Sequence, residues 1–209
     1  MLRAEEIANL LQNIENLDDT LTITPEPDIK QLSQNGSASI DLRLGCWFTS
    51  LHKSSVASLP ADSRNAINIC DDAYIPFGSS YVLHPRDFVL AVTLEWVSIP
   101  LFLAGYIHGK SSWGRRGLII ATASVIHPGF KGCITLELTN LGEVPISIKP
   151  GMRISQLCLH EAPVKGTNCA DQSSYIGKRK PTIGNVKYDT VAECLMRPIR
   201  IEDEKYTQH

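Results

Sequence analysis

Between Ser80 and Glu161 the chain is written in short β-branched and apolar runs, each closed by Gly, Pro or Asn. They read "SYVLHPRDFVLAVTLEWVSIP", "LAGYIHGKSS", "GLIIATASVIHP", "CITLELTN", "PISIKPG" and "RISQLCLHE". Turn residues so closely spaced leave no room for the helical crossovers that parallel strands require. The expectation is an all-β sandwich or barrel-like roll with minor helix, rather than βαβ units.

The flanks differ. Ile7, Leu10, Leu11 and Ile14 recur at helical spacing, so the opening predicts an amphipathic helix and resembles neither a signal nor a transit peptide. "LTITPEP" and "SIDLRLG" read as strands divided by a polar, turn-rich stretch around Gln34, Asn35 and Gly36. Residues 51–75 have weak periodicity and are expected to form a long surface excursion. From Ala162 the chain turns polar, with "PVKGTNCADQSSYIGKRKPTIGNVKYD" carrying five Lys or Arg and two Tyr. That composition fits a linker, or a flap that closes cations and rings over an anion.

With 209 residues, 43% of them hydrophobic and 20% charged, the chain suits one domain over 1–209 with 162–209 as its tail. A net charge of −2 offers no general field for a nucleic-acid polymer or a membrane, so an anionic ligand must meet local cations. The apolar runs are too short to span a bilayer, and the expected location is the cytoplasm. Six cysteines without C-x-x-C or zinc spacing read as reduced thiols.

Local cations are concentrated in "GKSSWGRRG". Lys110, Ser111, Ser112, Arg115 and Arg116 lie beside Gly109, Gly114 and Gly117, with no carboxylate in the run. Hydroxyls, fixed cations and close backbone approach are what a phosphate chain needs, although a solvated basic turn has the same composition. Glu137 sits in "CITLELTN", where alternation puts it with Thr135 and Thr139, away from Ile134, Leu136 and Leu138. It is either an exposed strand glutamate or a general base in a partly dry cleft. "VIHPGF" presents His127 and Phe130 at a Pro-Gly turn, as an ordinary packed turn or as a platform for a sugar and a base.

Taken together, "SIDLRLG", "LHP", "VTLE", "GKSSWGRRGL", "HPGF.G.ITLELTN", "PGMRISQL" and "SSYIGK" resemble the dCTP deaminase family of the trimeric dUTPase-like superfamily. The resemblance implies a distorted β-barrel or jelly-roll subunit in a homotrimer with shared active sites. It implies hydrolysis of dCTP to dUTP and ammonia without zinc, consistent with the lack of H-x-E and P-C-x-x-C motifs. Glu137 then matches the catalytic acid/base, with Ser111 and Arg115 positioning water. The Ala123 main-chain carbonyl is a further partner there, Lys110, Ser111 and Ser112 correspond to the phosphate-binding turn, and Arg116, Val125, His127, Phe130 and Gln156 are further substrate-binding positions. Tyr175 and Lys178 fall to a C-terminal flap. Mg²⁺ is expected through the substrate triphosphate.

Three positions depart from the family pattern. His127 replaces an aspartate that serves dUTP hydrolysis, Val125 stands where some members have arginine, and Ser174 where the flap often has lysine. "RISQL" around Arg153 and Gln156 nevertheless looks like the fourth dUTPase motif. Two further readings therefore stand beside the first: a bifunctional enzyme forming dUMP and pyrophosphate, and a non-catalytic nucleotide-binding trimer.

Overall fold

The opening helix forms where the apolar spacing predicts it. In the computed structural model α1 (Ala4–Gln12) buries Ala4, Ile7, Ala8 and Leu11. The Glu6 carboxylate accepts the Arg3 backbone N–H at 2.7 Å, satisfying one of the donors a helix start leaves free. That same bond holds the Glu6 carboxyl below its ordinary value. The structure describes residues 1–12, 20–34, 36–51, 70–122, 125–162, 175–184 and 190–195. Ile14, Ala123, Ser174 and most of the tail lie outside them.

β1 (Thr22–Thr24) ends at a cis Thr24–Pro25 bond and leads to α2 (Ile29–Gln34). This helix occupies what reads in sequence as a turn-rich stretch; only Leu32 is buried, which explains its faint apolar pattern. β2 (Ile40–Leu51) and β3 (Cys70–Tyr74) follow, and β3 lies inside the expected excursion, pairing with the far end of β2. Then come β4 (Tyr81–Leu83), β5 (Phe88–Ser98), β6 (Leu103–Gly109), α3 (Ser111–Gly114), β7 (Leu118–Ile120) and β8 (Val125–Ile126). β9 (Lys131–Asn140), β10 (Ile146–Ile148), β11 (Arg153–Glu161) and α4 (Thr190–Leu195) complete the order.

One sheet runs β7-β9-β5-β2-β11-β6-β8, with β1 added to β5 and β3 to β2, and β4 pairs with β10 separately. All these pairings are antiparallel, as the missing crossover helices require. β2 belongs to both halves of the sheet. Its first residues pair with β11, and from Leu44 it pairs with β5 through a register shift before Phe48. At that corner Gly45 passes so close to β5 that a Cβ would stand 3.0 Å from the Val92 and Thr93 carbonyl oxygens. A bulge and a glycine at this point curl the sheet around its inner face. Phe48, Leu42, Leu44, Leu136, Leu138, Ile154 and Leu157 fill that face with almost no exposure. Each such side chain contributes roughly 1.5–3 kcal/mol relative to an exposed one. The mostly β architecture with few helices is the one expected.

Candidate active site

The sheet's curl sets the phosphate-like turn beside the start of β2. α3 is a single turn, opened by extended Lys110, whose carbonyl accepts the Trp113 and Gly114 amides, and closed by Gly117 at φ 90°. The Trp113 indole N–H donates to the Arg153 carbonyl at 3.0 Å and pins the turn to β11. Ser111, Ser112 and Arg115 are left exposed on it.

A carboxylate that is absent from "GKSSWGRRG" joins this turn from elsewhere in the chain. Asp41 Oδ1 accepts Lys110 Nζ at 2.5 Å and Gln156 Nε2 at 3.3 Å, while Arg153 Nη1 lies 3.5 Å from Oδ2. Gln156 also donates to Ser39 Oγ at 3.2 Å. β11 carries Arg153 and Gln156 between β2 and β6, so three strands deliver these groups to one pocket of about 340 Å³. Sequence distance concealed Asp41, whose one visible sign is its polar place in the alternating "SIDLRLG". Arg116 goes elsewhere: its guanidinium lies 5.8 Å from the Trp113 ring and lines a second pocket with Glu143 and Met152.

Glu137 occupies the outward face of β9, half-buried, with Leu90 opposite it on β5 and Thr49 beyond on β2. Its amide donates to Thr122 Oγ1 and its carbonyl accepts the Ala121 amide, both at 2.8 Å. Among the described residues its carboxylate has no ion-pair partner. It does not line the Lys110 pocket. Gly109, the residue before Lys110, faces Ile120, where a Cβ would stand 3.5 Å from that side chain. Two residues further, Thr122 holds Glu137. β7 and its exit thus carry the acid to the vicinity of the serine turn.

Another carboxylate behaves differently. Glu95 on β5 is 1% exposed and accepts both the Arg43 amide, at 2.8 Å, and its guanidinium, at 2.9 Å. Burial pushes the Glu95 carboxyl above its ordinary value, against the pull of Arg43. A group so enclosed and paired holds β2 to β5.

The remaining residues gather at the other end of β9. Val125 is exposed and pairs with Tyr106; His127 is exposed and its carbonyl accepts the Phe130 amide. Gly129 at φ 80° and the Ile99 pairings with Gly129 and Phe130 fix the turn, and Phe130 packs its ring on the core. Tyr175 is exposed, and the Lys178 carbonyl accepts the Cys133 amide at 2.9 Å. Among the described residues no three His, Cys, Asp or Glu side chains converge as metal ligands, and no helix is long and apolar enough to cross a membrane.

The chain is similar to the dCTP deaminase of Natronomonas pharaonis, at 39% identity over 181 residues, 84% of this chain and 87% of that one. It is equally similar to a Mycobacterium avium protein named "dCTP deaminase, dUMP-forming", at 40% over 189 residues, 87% and 90% of the two chains. Among solved structures, 2'-deoxycytidine 5'-triphosphate deaminase from Agrobacterium tumefaciens superposes with a TM-score of 0.57 at 20% identity, a likeness of fold. The match covers 77% of this chain and about half, 48%, of that one. A family model described as dCTP deaminase-like matches residues 1–162, the stretch that contains the curled sheet, the serine turn and Glu137, and the chain belongs to that family.

Proposed function

We propose that the protein hydrolyses the exocyclic amine of dCTP, giving dUTP and ammonia, with Glu137 moving the protons. The observation that carries this reading is a half-buried carboxylate without an ion-pair partner among the described residues, on a residue whose backbone amide is held by Thr122 just past β7, the strand that packs against Gly109 ahead of the turn bearing Ser111. A carboxylate already committed to a cation would have to break that pair before accepting a proton; Glu137 has no such cost.

In this reading water adds to C4 of the cytosine as Glu137 takes its proton, and N3 becomes protonated. A second transfer to the amine lets the C4–N bond break, leaving C4=O and ammonia. Ser111 and Arg115 orient the water. Lys110, Ser112, Arg153 and Gln156 grip the triphosphate, which arrives with Mg²⁺. Asp41 keeps Lys110, Arg153 and Gln156 in place before substrate binds. Water activation by a carboxylate needs no zinc. The resemblance of these motifs to the trimeric dUTPase-like superfamily supports a homotrimer with shared active sites, working in the cytoplasm.

The product is the finer point. His127, exposed at the turn, offers no carboxylate for cleaving a triphosphate and favours dUTP. Relatives named dUMP-forming, together with Arg153 and Gln156 in the grip, support the bifunctional reading. Incubation with dCTP and Mg²⁺ distinguishes them: ammonia with dUTP is expected, ammonia with dUMP and pyrophosphate establishes the alternative, and no ammonia leaves only nucleotide binding.

A further inference from the structure

The segment bearing Tyr175 and Lys178 lies beyond the stretch matched by the family model and is fastened to the body of the chain. The Gly177 amide donates to the Lys131 carbonyl at 2.7 Å and the Cys133 amide to the Lys178 carbonyl at 2.9 Å, so the tail runs along the start of β9. Gly132 makes the seat: a Cβ there would stand 3.3 Å from the Lys178 oxygen and 3.4 Å from the Phe130 ring. The next two residues each bring a cation to an indole. The Arg179 guanidinium lies 4.9 Å from the centre of Trp96, and Lys180 Nζ lies 3.7 Å from the centre of Trp47. Trp96 stands opposite Cys133 on β5, and Trp47 stands edge-on to Tyr74 at 5.1 Å on β2. Asp72, 4.0 Å from Lys180, adds a charge partner.

Backbone pairing at Lys131 and Cys133 fixes only where the segment begins. Two consecutive cations over rings from two different strands fix its direction as well, because each ring's negative face attracts the charge set on it. We propose that Arg179 and Lys180, on Trp96 and Trp47, form a latch that positions Tyr175 and Lys178 beside the His127–Phe130 turn to retain the nucleotide. The inference rests on the function proposed above. Arg179 and Lys180 are positioning residues, acting through the tail they hold.

The latch separates binding from chemistry. Arg179→Ala with Lys180→Ala raises KM for dCTP about tenfold, the loss of two such contacts, while kcat stays within about twofold. Trp96→Leu keeps both cations and removes one ring, and it raises KM in the same direction. Normal KM in Trp96→Leu beside a raised KM in the double variant means that the cations grip phosphate directly, and overturns the latch. A second readout is independent of turnover. Hydrogen exchange at the Cys133 amide, whose partner is a tail carbonyl, is slow in the wild-type protein and accelerates in the double variant; unchanged protection overturns the latch. Should the wild-type protein release no ammonia from dCTP, the proposed reaction fails, while exchange at Cys133 still decides whether the two pairs hold the tail.

Discussion

Glu95 and Glu137 stand on neighbouring strands of one sheet, and their surroundings are opposite. Glu95 is enclosed and held by the Arg43 amide and guanidinium. Glu137 is half-buried, and among the described residues only its backbone is tied down, to Ala121 and Thr122. The contrast teaches how one fold separates a carboxylate that holds strands together from one left without a cation among the described residues. Burial makes charge costly, so an enclosed acid needs a permanent partner; a partly solvated acid does not.

Exchanging charge for shape at each position is the sharpest attack on that contrast. Glu137→Gln keeps the side chain's outline and removes the proton acceptor, so ammonia release falls about 10³-fold while the melting temperature moves by less than about 3 °C. Comparable turnover in this variant would take Glu137 out of the mechanism. Glu95→Ala inverts the pattern. Stripping Arg43 of its buried partner costs about 3 kcal/mol, a fall of roughly 6–12 °C in melting temperature, with activity lost only as the fold is lost.

The same pair gives a pH dependence with a definite sign. The folded chain holds the Glu95 proton to higher pH than the unfolded chain does, because burial raises the carboxyl above 4.5. Its contribution to stability is therefore complete below that value and declines as pH rises through the folded value. Melting curves across that range should lose this component in Glu95→Gln, and an unchanged profile would show that Arg43 cancels the cost of burial.

Asp41 lies between the two extremes, part-buried and shared by Lys110, Arg153 and Gln156. Asp41→Asn weakens the ordering of that grip and raises KM for dCTP roughly fivefold, one charge-assisted contact's worth, with kcat little changed. A lower KM would instead make Asp41 a competitor for the same cations. Ser155 marks the small end of the scale. Its fully buried hydroxyl has no partner among the described residues, so Ser155→Ala should gain about 1 kcal/mol in a denaturant titration. A loss of stability would reveal a partner supplied by another copy of the chain.

How much of this was legible beforehand depended on sequence range. Strand alternation placed Glu137 with Thr135 and Thr139 on the face away from the core, as observed, because a period of two needs only neighbouring residues. The same local logic found α1 and the strands from Tyr81 onward. It missed α2, whose single buried Leu32 leaves no stripe to read, and it placed β3 in a loop because Asp71 and Asp72 mask a strand. Asp41 was invisible as a site residue: 69 positions separate it from Lys110, and no spacing rule reaches across a sheet. Arg116 reads in sequence as a substrate-binding cation, yet the turn of α3 sends it to Trp113.

Local composition and motif order determined the antiparallel fold and the roster of hydroxyls, cations and acid, because both are set by short stretches of chain. Tertiary structure alone decided which of those charges are spent. The bulge at Gly45 and the order of β2, β11 and β6 bring Arg43 to Glu95 and Lys110 to Asp41, and leave Glu137 without a cation among the described residues. The physical reason is that electrostatic pairing acts over a few ångströms of space, irrespective of distance along the chain.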